Sequence, residues 1–234
     1  MQINIPEFSW SPYGLAVVSA VVIGFIVALI FMRKFGVAKQ TMVYTCLLTL
    51  VCTLITSVLV VLRITPDGLS MGFSGLGAAV GMVGGILISG LIIKDKPDMV
   101  MASFVATAPL MYGLAKFGCL FAGCCHGKDY SGPFAIVYHG ANEGSYFPTQ
   151  IIDMMSFIIL FFISSVLIFK LKNKVMAIYI IFGLLIPVRF LLEYLKYYHE
   201  GHIIESGQIK VLIAGFAAVA LVFIWKKLLK IKYH

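Results

Sequence analysis

The run Phe117-Gly118-Cys119-Leu120-Phe121-Ala122-Gly123-Cys124-Cys125-His126-Gly127-Lys128 sets three thiols and an imidazole side by side in an otherwise greasy chain. Such groups bind metals, exchange disulfides, or hold and move a proton. The spacing Cys-x4-Cys-Cys-His matches no common zinc pattern, and adjacent cysteines rarely bridge each other. Small Gly, Ala and Cys side chains also suit tight backbone packing at a helix end. Packing is therefore the expectation for this run, with no metal and no cofactor, and a disulfide stays open.

A second group is ionic. Arg189 and Glu193 stand four residues apart and Lys196 seven beyond Arg189, so a helix carries all three on one face. One reading is a structural ion pair, with Lys196 snorkelling to the membrane interface. The other is a cationic pocket for a phosphate, because a guanidinium presents a planar fork that matches phosphate oxygens. Lys116 is the second candidate cation. In Tyr146-Phe147-Pro148-Thr149-Gln150-Ile151-Ile152-Asp153, Pro148 suits a first helical turn, and Gln150 and Asp153 point inward three residues apart. The Gly-rich stretch from Gly72 to Gly85 reads either as close helix packing or as backbone approaching a ligand. Cys46 and Cys52 are expected to behave as small hydrophobes. Among possible bases His126 is the best placed, His139, His199 and His202 lie in external segments, and His234 lies on the opposite side.

The elements that must position these residues are membrane helices. Of 234 residues, 61% are hydrophobic and 12% charged, with mean hydropathy +1.01, far from a soluble domain. A bilayer core needs roughly 20 apolar residues per helix. Seven stretches qualify, near 12–32, 40–62, 72–93, 98–116, 148–169, 175–195 and 208–226. They are long unbroken runs without the short alternating segments of a membrane β-barrel, so the fold class is all-α, a single polytopic membrane domain over 1–234. The first run lacks a positive n-region and a small-residue cleavage site, so it is expected to stay attached. No internal repeat supports a transporter.

Orientation follows from the basic residues. Arg33, Lys34, Lys39, Lys94, Lys96, Lys170, Lys172, Lys174, Lys226, Lys227, Lys230 and Lys232 fall on one side of the spans. The remaining six, Arg63, Lys116, Lys128, Arg189, Lys196 and Lys210, share the other with eight of the ten carboxylates. The first side is expected to be cytoplasmic, which puts the N-terminus outside, the C-terminus inside, and the segment 116–148 at the external face. The net charge of +8 is then a topology signal with attraction for anionic lipid, and nothing points to nucleic acid.

Taken in order, these blocks resemble bacterial prolipoprotein diacylglyceryl transferases, seven-helix inner-membrane enzymes, over nearly the whole chain. Trp10-Ser11-Pro12-Tyr13-Gly14-Leu15 looks like the family's aromatic-Tyr-Gly-Leu opening, which makes Tyr13 its active-site tyrosine. The stretch from Phe73 resembles a motif in which His-Gly-Gly follows Phe. Lys116 to Gly127 resembles Gly-Arg-x-Gly-Asn/Cys-Phe continuing as Gly-Cys-Cys-x-Gly. Phe147-Pro148-Thr149-Gln150 resembles His-Pro-Ser/Thr-Gln, and Arg189-Phe190-Leu191-Leu192-Glu193 resembles Arg-Phe-x-x-Glu.

The resemblance implies a multi-pass protein of the bacterial inner membrane that transfers a diacylglyceryl group from phosphatidylglycerol to the lipobox cysteine of a preprolipoprotein. Glycerol phosphate leaves and a thioether remains. Cations must hold the departing phosphate and a base must help ionise the thiol. Arg189, Lys116 and His126 are the expected catalytic residues, and Tyr13, Ser74, Cys119, Cys124, Gln150 and Glu193 the expected substrate-binding ones. Lys116 stands where the family usually has arginine, and Ser74 and Phe147 stand where it has histidine. These departures keep a second expectation in play: a divergent paralogue with another acceptor, or a lipid-binding membrane protein without catalysis.

Overall fold

A computed structural model describes residues 2–6, 12–59, 63–65, 68–70, 75–139, 143–199 and 203–233. Ser74, His202, His234 and the Trp10-Ser11 part of the opening motif lie outside the described residues. Seven helices are present among those described: α1 (Tyr13–Lys34), α2 (Lys39–Leu59), α3 (Gly75–Ile92), α4 (Pro97–Phe121), α5 (Thr149–Lys170), α6 (Lys174–Glu193) and α7 (Ser206–Tyr233). All but α3 are long and apolar enough to cross a membrane. This is a multi-pass membrane protein. Side chains such as Val18 and Ile26 on α1, or Phe162 and Val166 on α5, stay exposed because lipid takes the place of water around them.

Among the described residues five three-residue strands accompany the helices: β1 (Ile3–Ile5), β2 (Arg63–Thr65), β3 (Gly68–Ser70), β4 (Ile136–Tyr138) and β5 (Gly144–Tyr146). β2 and β3 form a hairpin, and β4 pairs parallel with β1 and antiparallel with β5. Runs this short carry too little alternation to be seen in the sequence.

The chain clusters into two compact units. One comprises 27–104 and 223–234. Its centre is the contact of α2 with α3, which depends on glycines four residues apart. A Cβ added at Gly77 would meet the Thr56 carbonyl oxygen at 2.4 Å, one at Gly81 the Cys52 carbonyl oxygen at 2.4 Å, and one at Gly85 the Thr49 Cα at 2.5 Å. The missing side chains let the backbones touch. Thr56 then bonds across the seam, its Oγ1 donating to the Gly77 carbonyl at 2.7 Å. This is the packing reading of the Gly-rich stretch, realised from Gly77 onward. Within the same unit the basic turns are stitched together: Lys96 Nζ donates to the carbonyls of Phe35 and Gly36 at 3.0 and 2.7 Å, and Asp95 Oδ2 accepts from the Ala38 amide at 2.7 Å.

The other unit comprises 1–26 and 105–222. Here Gly118 on α4 lets α1 approach, since a Cβ there would lie 2.9 Å from the Ala16 Cβ and 3.2 Å from the Tyr13 carbonyl oxygen. Ile5, Leu120, Ile136 and Tyr138 make a small core that ties the three-stranded sheet to the end of α4. α4 continues to Phe121, past the expected end near 116, because Lys116 finds a carboxylate inside the protein and has no need to reach the interface.

The α2–α3 seam gives a clear test. Gly81→Leu drives a side chain into the Cys52 backbone and is expected to cost about 3 kcal/mol or more, read as a lower thermal midpoint in detergent. Gly84→Leu is the control, because nothing lies within 4 Å of a Cβ there. Equal midpoints for the two variants would show that the seam does not depend on Gly81.

Candidate functional site

Three helix ends and one loop of the unit 1–26 and 105–222 supply the site. Tyr112, Lys116 and Cys119 recur at helical spacing toward the end of α4 and share a face. Gln150 and Asp153 occupy the first turns of α5, where both are buried. Arg189 and Glu193 close α6, and Lys196 follows two residues beyond the cap at Tyr194. Gly127 pairs with Lys196 as an isolated antiparallel bridge, and the Tyr197 amide donates to the His126 carbonyl at 3.3 Å. A Cβ at Gly127 would lie 2.4 Å from Thr149 Oγ1, so the approach requires glycine.

The charges converge on Asp153. Its Oδ2 accepts from Lys116 Nζ at 3.1 Å and from Lys196 Nζ at 2.5 Å, and all three side chains are buried. Burial and the Lys116 ammonium push Lys196 below the ordinary lysine range, while Asp153 works against them. Arg189 is paired with Glu193, and the Tyr198 hydroxyl donates to the same carboxylate. Burial and that hydrogen bond push the Tyr198 hydroxyl up, so it stays a donor. Three cations thus face two carboxylates, and the balance is positive.

A ring joins the two ionic groups. Lys116 Nζ lies 5.0 Å from the Tyr112 ring centroid and Arg189 Cζ 5.7 Å from it, both within cation–π range. Lys116 and Arg189 are therefore separated by no more than the sum of those distances, near enough to serve one lipid headgroup. Phe157 packs at 4.3 Å against Tyr112 and fixes this platform. Arg189 Nη1 is buried and has no hydrogen-bond partner among the described residues.

Next to the charges sits the cysteine loop. Cys119, Cys124 and Cys125 place their Sγ atoms within 4.8 Å of one another, and all five cysteines of the chain are free thiols. Gly123 and Cys125 adopt left-handed backbone, with φ of 65° and 57°. Gln150 Nε2 donates to the Cys124 carbonyl at 3.0 Å and to the Tyr138 hydroxyl at 3.2 Å, which in turn donates to the Leu120 carbonyl at 2.7 Å. Burial is the main cause that pushes Tyr138 up. Thiol hydrogen bonds from Cys119 and Cys124 hold Cys125 below the ordinary thiol range, against the cost of burial and with help from Lys116 and Lys196.

The residues singled out in the sequence fall as follows. Arg189, Glu193, Lys116, Cys119, Cys124 and Gln150 come together as described. Tyr13 is half-exposed at the start of α1, within electrostatic reach of the three thiols and Lys116. His126 has its ring between Tyr146 and Tyr197, at 4.0 and 4.5 Å, and its Nδ1 donates to the Gly127 carbonyl at 2.9 Å. Only its Nε2 is left to act. His139 is exposed, and buried His199 lies 3.6 Å from Glu205 and 3.3 Å from Gln208. Phe147 packs edge-on to Tyr130. Of the two readings open for Lys196, snorkelling to the interface does not hold: the side chain is buried on Asp153, where an internal carboxylate holds its ammonium. Tyr112 escaped the sequence reading, although an aromatic one helical turn before a lysine inside a span was a usable signal.

Comparison with known proteins bears on the whole chain. No curated protein matches it. The family model for prolipoprotein diacylglyceryl transferase matches residues 1–225. With that match covering nearly its whole length, the chain belongs to the prolipoprotein diacylglyceryl transferase family, membrane transferases of lipoprotein lipidation.

Proposed function

We propose that the protein transfers the diacylglyceryl group of phosphatidylglycerol to the lipobox cysteine of a preprolipoprotein, from a site at the external face of the bacterial inner membrane. One observation carries this reading: Arg189 and Lys116 lie over the same Tyr112 ring, and among the described residues the buried Arg189 Nη1 has no hydrogen-bond partner. A phosphodiester seated there meets a guanidinium fork and a point charge.

The reaction breaks the bond between the glycerol carbon of the diacylglyceryl group and a phosphate oxygen. The thiol sulfur forms the new carbon bond, its proton goes to a base or water, and glycerol phosphate leaves with the electron pair. Negative charge grows on the leaving phosphate, and Arg189 and Lys116 stabilise it. Glu193 and Tyr198 hold the guanidinium in place, and Asp153 keeps Lys116 aimed. Tyr13 and Gln150 border the thiol side, and His126 offers Nε2 as the proton acceptor. A relay through an enzyme cysteine is disfavoured, because it would make a thioether whose sulfur leaves poorly.

Lys116, Ser74 and Phe147, standing where the family has arginine and histidines, favour a second reading in which the chain binds the lipid without turnover. Incubation with phosphatidylglycerol and a lipobox peptide separates the two: lipid binding without any thioether product would establish the second.

Under the leading reading Arg189→Ala lowers product formation by about a hundredfold or more. Arg189→Lys recovers little of it, because a lysine lacks the fork. Undiminished activity in Arg189→Ala would remove the phosphate role. Asp153→Asn leaves two buried ammoniums without their carboxylate and is expected to cost about 3–5 kcal/mol of stability, read in thermal unfolding. A midpoint equal to that of the parent would show that the lysines do not need Asp153. For orientation, a fluorescent protein fused at the C-terminus is expected to fold and fluoresce in the cytoplasm, and a dark fusion paired with an active periplasmic reporter at that end would reverse the topology.

A further inference from the structure

The three thiols have a geometry that their spacing in the sequence does not disclose. Cys119 comes from the last turn of α4, Cys124 and Cys125 from the loop beyond it, and the left-handed turns at Gly123 and Cys125 fold the loop back onto the helix. All three Sγ atoms lie within 4.8 Å of one another. Sulfurs around a tetrahedral zinc, each at about 2.3 Å from the metal, sit about 3.8 Å apart. Side-chain rotation covers the difference.

The loop is held in this shape from three sides. The Cys124 amide donates to the Cys119 carbonyl at 3.2 Å, Gln150 Nε2 to the Cys124 carbonyl at 3.0 Å, and Lys196 Nζ to the Cys125 carbonyl at 3.4 Å. A non-glycine residue in left-handed backbone is strained, and such strain gathers at functional positions. Among the described residues no fourth His, Cys, Asp or Glu joins the cluster. Neighbouring His126 is engaged elsewhere, with its Nδ1 on the Gly127 carbonyl and its ring between two tyrosines. Three thiolates with a divalent cation leave one negative charge, and the ammoniums of Lys116 and Lys196 lie within electrostatic reach to balance it.

We propose that Cys119, Cys124 and Cys125 bind one zinc ion as three thiolates, leaving a fourth position in which the acceptor cysteine is ionised. The role of this site rests on the transfer reading above. The acceptor thiol displaces a zinc-bound water and gives its proton to water or to a base such as His126, because a thiol coordinated to zinc is deprotonated outright. The coordinated sulfur then attacks the glycerol carbon, the carbon–oxygen bond breaks, and the electron pair leaves on glycerol phosphate toward Arg189 and Lys116. The product thioether is neutral and a weak ligand, so water replaces it. Thiol activation by a metal supplies what Ser74 and Phe147 do not.

The test uses the full chain, untagged by histidine, purified in detergent under reducing conditions. Zinc content is measured by mass spectrometry of the metal, and cobalt is substituted to give a sulfur-to-cobalt charge-transfer band. The wild type is expected to carry stoichiometric zinc and to show the band. Cys119→Ser, Cys124→Ser and Cys125→Ser are expected each to lose both, and Cys46→Ser and Cys52→Ser to keep both. Chelation and zinc return on the wild type read the same site without a variant. A lipobox peptide is expected to shift the cobalt spectrum as a fourth sulfur enters, and a peptide with serine for cysteine to leave it unchanged. Fully reduced protein that takes up neither metal overturns the site, and a cobalt spectrum blind to the peptide overturns its role. A peptide-dependent shift without any thioether from phosphatidylglycerol upholds metal and thiol binding and overturns the transfer reading alone.

Discussion

A single buried carboxylate organises the polar half of this membrane protein. Asp153 Oδ2 takes Lys116 from α4 and Lys196 from the segment after α6, while Asp153 itself stands in the first turns of α5. Without it two ammoniums would face each other in a desolvated interior, a costly arrangement. With it, three chain segments are pinned to one point, and the Lys196 segment is close enough to pair with Gly127 and hold the cysteine loop. Tyr112 and Cys119 share α4 with Lys116, and Arg189 and Glu193 stand on α6 just before Lys196, so the two anchored lysines lie beside both groups in the chain.

The ionic groups divide their tasks by how fully they are satisfied. Lys196 is spent on Asp153 and the Cys125 carbonyl, so its part is architectural. Arg189 is different: Glu193, itself bonded by Tyr198, fixes one side of it, and Nη1 has no hydrogen-bond partner among the described residues. A donor buried in that condition carries a penalty that an anionic ligand relieves. Fixing a guanidinium while leaving part of it unsatisfied is the arrangement that phosphate capture calls for.

Much of this was legible in the sequence, for identifiable reasons. Hydropathy marked the seven helices found among the described residues, because an apolar run in lipid must satisfy its backbone internally and can only coil; six of them are long and apolar enough to cross a membrane, and α3 is not. The ion pair of Arg189 with Glu193 followed from their spacing, whereas the Gly-rich stretch admitted both packing and ligand approach until Gly77, Gly81 and Gly85 were found against the α2 backbone. What escaped was decided by tertiary contacts. The burial of Lys196 could not be read locally, because its partner Asp153 stands forty-three positions away. The three strands of the small sheet are too short to carry a period. The convergence of Cys119 with Cys124 and Cys125 depends on two left-handed residues, and only one of them, Gly123, announces itself by type.

The proposed transfer is defined by which bond is broken and what receives the lipid. Phosphatidylglycerol labelled separately in its diacylglycerol part and in its terminal glycerol phosphate, incubated with the purified protein and a lipobox peptide, answers both questions in one experiment. The diacylglycerol label is expected to move to the peptide in an alkali-stable thioether, while the other label is released as glycerol phosphate. A peptide that stays unlabelled, or one that acquires the phosphate label, would contradict it.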